Sequence, residues 1–103
     1  MIVSKQCFCD ESMEKKKKKI INRFQKGKLE HSYGIFLSLH RGQLLDIISG
    51  FELMQKIYSD KRDEMVLVGI APSREAAYEL TRLIIETVYE KQKDFDVKRF
   101  FYE

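Results

Sequence analysis

The sequence has few of the residues that divide, cross-link or anchor a chain. It contains one proline and two cysteines in 103 residues, and no tryptophan. No stretch approaches the roughly 18 consecutive apolar residues that a membrane-spanning helix needs, so we expect no transmembrane segment. No Gly/Ser/Pro-rich linker interrupts the chain, and 44% of its residues are hydrophobic. Both features predict a single globular domain spanning residues 1–103.

Potential metal ligands are also scarce. Cys7 and Cys9 are the only cysteines, and His31 and His40 are the only histidines. A closed zinc site takes four ligands. The two histidines flank a predicted strand, which places them ~30 Å apart at about 3.3 Å per residue. Cys7 and Cys9 therefore supply at most half of a metal site, and reduced thiols packed beneath a sheet are the simpler interpretation. We expect no cofactor.

No arrangement of nucleophile and base indicates catalysis. Ser32 and Ser38 are next to His31 and His40, but neighbouring residues of a strand point to opposite faces. The carboxylates of the longest predicted helix lie on its solvent side, where burial cannot raise their pKa. The sequence therefore favours a protein that is not an enzyme.

The central unit of the chain is a predicted strand followed by a long helix. Residues 65–71 form the only unbroken apolar run, typical of a strand buried on both faces. Pro72 cannot continue a hydrogen-bonded ladder, and Ser73 is a preferred N-cap residue. The helical pattern then continues from Arg74 to Glu90.

The turn between this strand and helix is a weak candidate for anion binding. A helix N-terminus presents free N–H groups beside Ser73, and Arg74 adds a guanidinium. The turn matches neither phosphate-binding glycine pattern. Glu75 already places a negative charge in the first turn, so ordinary capping is the alternative interpretation.

The long helix has a wider apolar surface than packing against one sheet requires. Its main apolar stripe consists of Ala77, Leu80, Ile84 and Val88, and a second apolar flank consists of Tyr78, Ile85 and Tyr89. We expect the N-terminal helix, the C-terminal tail or a second subunit to cover that flank. Self-association as a homodimer is the partner interaction that the pattern favours most.

The remaining segments complete a small α+β fold. Residues 1–10 are either a short edge strand or a loose terminus, and residues 11–26 favour a helix ended by Gly27. Residues 31–39 and 44–48 predict an antiparallel hairpin. Ser49 and Glu52 have the spacing of a capping box before a short helix that extends to about Tyr58.

The C-terminal residues 95–102 favour a short docked helix, with a final edge strand as the alternative. The predicted architecture is therefore a small antiparallel sheet of three strands, or four if the tail joins it. The long helix packs on one face, and a basic helix precedes the sheet.

Positive charge is concentrated in the first half of the chain. Residues 1–50 carry ten Lys/Arg against five Asp/Glu, whereas residues 51–103 carry nine against eleven. The cations that predict a polyanion-binding surface are Lys15, Lys16, Lys17, Lys18, Lys19, Arg23, Lys26 and Lys28. A solvated helix face is the alternative, because most lysine runs serve only that purpose.

The function that the sequence favours is a non-enzymatic binding or assembly module. We expect it to self-associate through the apolar flank of the long helix or through a sheet edge. The alternative is binding of nucleic acid or another polyanion through the basic helix. The short apolar start, followed by Lys5, does not resemble a signal peptide, so we expect a cytosolic protein with reduced thiols.

Overall fold

A computed structural model describes residues 1–102 and confirms the α+β fold class. The four strands are β1 (Ile2–Cys9), β2 (Tyr33–Leu37), β3 (Leu45–Ser49) and β4 (Val66–Ala71). The five α-helices are α1 (Lys17–Gln25), α2 (Gly50–Leu53), α3 (Lys56–Ser59), α4 (Arg74–Gln92) and α5 (Val97–Tyr102). Two 3-10 helices, Glu11–Lys16 and Arg62–Glu64, precede α1 and β4 respectively.

The sheet has the strand order β1-β4-β2-β3, so β1 and β3 are its edges. The hairpin β2–β3 and the pair β2–β4 are antiparallel, as predicted. The three predicted strands are thus antiparallel, and the sheet is mixed because a fourth strand, β1, pairs parallel with β4. The fourth strand is thus the N-terminal segment and not the tail. Strand β4 is buried throughout, and β2 pairs with only one of its two edges. The N–H and C=O groups along its other edge need a hydrogen-bonding partner, and β1 supplies it.

Helix α4 covers the centre of one face of the sheet. The predicted stripe of Ala77, Leu80, Ile84 and Val88 is buried. At its start, the Ser73 hydroxyl accepts a hydrogen bond of 3.1 Å from the Ala76 N–H, which confirms Ser73 as the N-cap.

The tail forms helix α5 and covers β1 on the same face. Phe100 and Phe101 are buried, and the Phe101 ring meets Phe8 edge to face at 6.0 Å. Tyr102, in contrast, remains 67% exposed. The docked short helix is therefore confirmed, and the edge-strand alternative is wrong.

The opposite face of the sheet is covered by the first 3-10 helix, α1 and α2. Met13, Ile21 and Phe24 are buried against the sheet, and Phe24 lies 6.5 Å from the ring of Phe36. The predicted helix over residues 11–26 is interrupted, because its first six residues form a 3-10 helix. The Asp10 carboxylate caps that helix by accepting from the Ser12 N–H at 3.0 Å.

The segment after β3 departs from its prediction in one respect. The capping box is present, since the Ser49 hydroxyl accepts from the Glu52 N–H at 3.0 Å and the Glu52 carboxylate accepts from the Ser49 N–H at 3.2 Å. The single helix predicted to extend to about Tyr58 is instead two one-turn helices, α2 and α3. Gln55 N–H bonds three residues back, to the Glu52 carbonyl at 3.0 Å, which closes the first helix.

Candidate functional site

The face of the sheet beneath α4 is covered unevenly. Helix α4 packs chiefly on β4 and β2, and α5 packs on β1. The edge strand β3 directs Leu45 and Ile47 to this face, and both side chains remain only half-buried, as does Tyr33 on β2. The outer part of this face is therefore open along β3.

The predicted second flank of α4 borders this open part of the sheet. Tyr78 is 57% exposed, Tyr89 is 46% exposed, and Ile85 is half-buried. Helix α1 lies on the opposite face of the sheet, and α5 lies over β1; the tail reaches this flank at Phe95, whose ring stacks on Tyr89 with centroids 5.0 Å apart. We refer to the apolar surface formed by Tyr33, Leu45, Ile47, Tyr78, Ile85 and Tyr89 as the open flank.

Arg74 joins the sheet part of the open flank to its helix part. Its guanidinium carbon lies 5.7 Å from the centre of the Tyr33 ring. Interaction with the Tyr33 hydroxyl, and to a lesser extent with Tyr78, raises the pKa of Arg74 above its ordinary value. The two groups predicted as an anion site are thus engaged within the chain, Arg74 with these tyrosines and Ser73 with the Ala76 N–H. Anion binding at this turn stays a prediction.

The other flank of α4 has a contrasting, charged character. A groove of about 490 Å³ lies between this flank and the segment after β1, and its lining includes Asp10, Glu11, Glu14, Glu79 and Glu86. Arg82 pairs with Glu79 at 3.3 Å and with Glu86 at 3.7 Å. Leu83 is also on this side and is 49% exposed. Acidic side chains are therefore more numerous on this flank of α4 than among the residues that define the open flank.

The predicted polyanion-binding cations lie on the opposite side of the sheet from α4. Lys17, Lys18 and Lys19 occupy the first turn of α1, which carries no acidic residue. Within residues 1–102, none of the eight cations is within 4.0 Å of a carboxylate oxygen. Cations at the positive end of a helix dipole repel one another and that dipole, so an external anion would stabilise this arrangement.

The cysteine pair lies on β1, with both thiols directed towards α1. Burial is the main cause that raises the pKa of Cys7 from 9.0 to about 12, and the nearby Lys17 opposes it. Burial also raises the pKa of the half-buried Cys9. In the described part of the chain, no three His, Cys, Asp or Glu side chains form a group suited to a metal ion. Metal binding by the pair stays a prediction. Metals bind the thiolate form of cysteine, and burial keeps these two thiols protonated, so their environment does not favour it.

Comparison of this chain with protein-family models, with curated proteins and with solved structures gave no match. Among residues 1–102, no helix has the length and apolar character needed to cross a bilayer. Sequence reasoning identified the helix part of the open flank but missed Tyr33, Leu45 and Ile47. Their alternation along the hairpin placed them on one face, but the position of the covering helices depends on contacts distant in sequence.

Proposed function

We propose that this protein is a non-enzymatic assembly module that binds a second copy of itself through the open flank. The observation that carries the proposal is the position of these aromatic and aliphatic side chains beside the edge strand β3. Helix α4 covers β4 and β2 on one face of the sheet, and other helices cover the opposite face. The open flank, in contrast, has two exposed tyrosines beside the half-buried side chains of β3. Contiguous exposed apolar surface of this kind is typical of interaction sites.

The residue types of the open flank suit a protein interface. Tyrosine is enriched at interfaces because its ring buries a large apolar area while its hydroxyl retains a polar partner. Here Tyr33 and Tyr78 approach the Arg74 guanidinium, and arginine is likewise enriched in interface cores. A two-fold dimer uses the same patch on both copies, so one self-complementary surface is sufficient.

The test is the oligomeric state of two charged variants of α4. Sedimentation velocity of reduced protein between about 1 and 100 μM should give a dimer for the wild type. Ile85→Asp places a carboxylate inside the proposed interface and should give a monomer, because a buried unpaired charge costs several kcal/mol. Circular dichroism establishes that the variant remains folded.

Leu83→Asp is the matched control for this experiment. Leu83 is on the same helix but on the acidic flank, and it is more exposed than the half-buried Ile85, so circular dichroism is also recorded for this variant. We expect Leu83→Asp to remain dimeric. A wild type that is monomeric at 100 μM contradicts the proposal, and so does equal dissociation of both variants.

A second candidate function, polyanion binding through the basic segment, rests on its eight cations, which lack carboxylate partners within residues 1–102. Fluorescence anisotropy with a single-stranded oligonucleotide should give an affinity that falls steeply with salt. The slope of log K against log salt concentration is about −0.7 per phosphate neutralised. Replacing Lys15–Lys19 by glutamine should flatten this slope, whereas replacing Lys56 and Lys61 should not. An affinity that is insensitive to salt contradicts polyanion binding.

A further inference from the structure

The sheet ends in two edge strands with very different edges. An edge strand presents backbone N–H and C=O groups that need water or another chain as partners. In β1, the pairing register shifts between Val3 and Phe8, Lys5 is exposed, and the Gln6 N–H turns to the Ser4 hydroxyl at 3.2 Å. A bulge and an exposed lysine are features that prevent edge-to-edge pairing. β1 is thus a protected edge.

Strand β3 has neither a bulge nor a lysine, and its one charged residue is Asp46. It pairs with β2 in an uninterrupted register from Leu45 to Ser49. At the two ends of this ladder, Ser38 N–H donates to the Leu44 carbonyl at 3.2 Å, and Gly50 N–H donates to the Ser32 carbonyl at 2.8 Å.

These two bonds fix the direction of every backbone group in β3. In an antiparallel ladder, alternate residues bond to the partner strand, and the residues between them direct N–H and C=O outward. The even-numbered residues of β3 therefore bond to β2, and the odd-numbered ones face away. Since the Ser49 N–H is held by the Glu52 carboxylate, Leu45 and Ile47 present the outward donors and acceptors.

We propose that two copies of this chain pair through β3, antiparallel and centred on Ile47, to form a continuous eight-stranded sheet. This inference rests on the proposed self-association and specifies its geometry. Ile47 would exchange both N–H···O bonds with the partner's Ile47, the closely spaced pair of an antiparallel ladder.

The charge of Asp46 disfavours one alternative register. A two-fold axis through Asp46 would place the two Asp46 carboxylates directly opposite each other, and like charges in that position are destabilising. An axis through Ile47 instead brings Asp46 level with the partner's Ile48. Of these two registers, the one centred on Ile47 is therefore favoured.

The side chains around β3 agree with that register. Antiparallel pairing keeps Leu45 and Ile47 of both copies on the same face as Tyr78 and Ile85, so the two open flanks border one apolar seam. A groove of about 470 Å³ lies at the hairpin-turn end of β3, and its lining includes Gln43, Asp46 and Tyr58. The register also brings Gln43 level with the partner's Phe51, which is 59% exposed in the single chain.

Ile47→Pro tests the pairing through the backbone. Proline removes the outward N–H of Ile47 but no bond to β2, so an edge position of this kind tolerates it. In β1, Ile2 N–H donates to the Met65 carbonyl at 2.8 Å, so the Val3 N–H points outward and Val3→Pro is the matched control. Sedimentation equilibrium should show a dimer dissociation constant raised at least 30-fold by Ile47→Pro and unchanged by Val3→Pro.

Hydrogen exchange of the wild type provides a second measurement that does not depend on how well the proline variant folds. The outward amides of Leu45 and Ile47 should exchange at least tenfold more slowly in the dimer at high concentration than in the monomer at low concentration. Equal exchange in the two states overturns the strand pairing.

The outcomes separate this inference from the proposed function. A dimer that persists in folded Ile47→Pro but is lost in Ile85→Asp overturns the strand pairing and retains self-association. A wild type that stays monomeric overturns both. A dimer lost in Ile47→Pro and retained in Val3→Pro, with slow amide exchange at Leu45 and Ile47, supports both.

Discussion

The rings of Tyr89 and Phe95 stack with their centroids 5.0 Å apart, across the turn where the chain reverses direction after α4. Lys93 makes this reversal in the left-handed conformation, with φ of 63°, and its N–H donates to the Tyr89 carbonyl at 2.7 Å. The chain then returns so that the Gln6 side chain donates to the Phe100 carbonyl at 3.4 Å. One left-handed residue therefore directs α5 onto β1.

Lys93 is accordingly a position where glycine should stabilise the protein. A residue with a Cβ atom costs roughly 1 kcal/mol in the left-handed region, and glycine does not. We expect Lys93→Gly to raise the free energy of unfolding by about 1 kcal/mol, measured by urea denaturation. Lys91→Gly, in the last turn of α4, should lower it by about 1 kcal/mol. Equal losses in both variants would contradict a strained Lys93.

The N-cap of α4 should contribute measurably to stability. Ser73→Ala removes the acceptor for the Ala76 N–H and should lower the free energy of unfolding by about 1 kcal/mol. Ser73→Asp restores an acceptor and adds a negative charge at the positive end of the helix dipole, so it should retain the wild-type stability. The same urea denaturation measures both variants, and a loss of equal size in Ser73→Asp would show that capping is not the cause.

The features that the sequence predicted well are the local ones. The buried run of β4, the N-cap at Ser73 and the capping box at Ser49 each depend on residues within a few positions. Periodicity likewise identified the stripe of α4, and its second flank, as apolar. These features follow from backbone geometry within one element.

The features that were wrong or missed depend on distant partners. The parallel pairing of β1 with β4 joins residues more than 60 positions apart, such as Ile2 and Val66. The half-buried state of Leu45 and Ile47 depends on α5 covering β1 and leaving β3 open. No local pattern contains that information, so the sheet part of the open flank required the folded structure.

The packing of Gly50 also depends on residues distant in sequence, and it gives a third prediction. A Cβ atom at this position would meet the carbonyl carbon of Leu29 at 2.8 Å and the Cα of Glu30 at 3.2 Å. Because backbone atoms cannot move aside as side chains do, we expect Gly50→Ala to lower the free energy of unfolding by about 2 kcal/mol or more. Gln55→Ala, at an exposed position nearby, should change it by less than about 0.5 kcal/mol. Thermal denaturation of the two variants checks this, and a Gly50→Ala protein of wild-type stability would contradict the close approach.

The buried thiol of Cys7 predicts a loss of stability in alkaline solution. Burial raises its pKa from 9.0 to about 12 in the folded protein, so the unfolded chain loses this proton first as the pH rises. The contribution of Cys7 is fully present below pH 9.0 and is lost progressively as the pH rises towards 12. At pH 10.5 the expected loss is about 2 kcal/mol, by the linkage between proton binding and folding.

Comparison with Cys7→Ala isolates this effect, because lysines and tyrosines also titrate in that range. Urea denaturation at pH 8 and pH 10.5 should show a smaller alkaline loss for Cys7→Ala than for the wild type, whereas Cys9→Ala should keep most of the wild-type loss. Native Cys7 should also react with iodoacetamide much more slowly than the unfolded chain at pH 8, because the thiolate is the reactive form. Rapid alkylation of Cys7 in the folded protein would show that its thiol is neither buried nor held protonated by the packing of β1 against the first 3-10 helix.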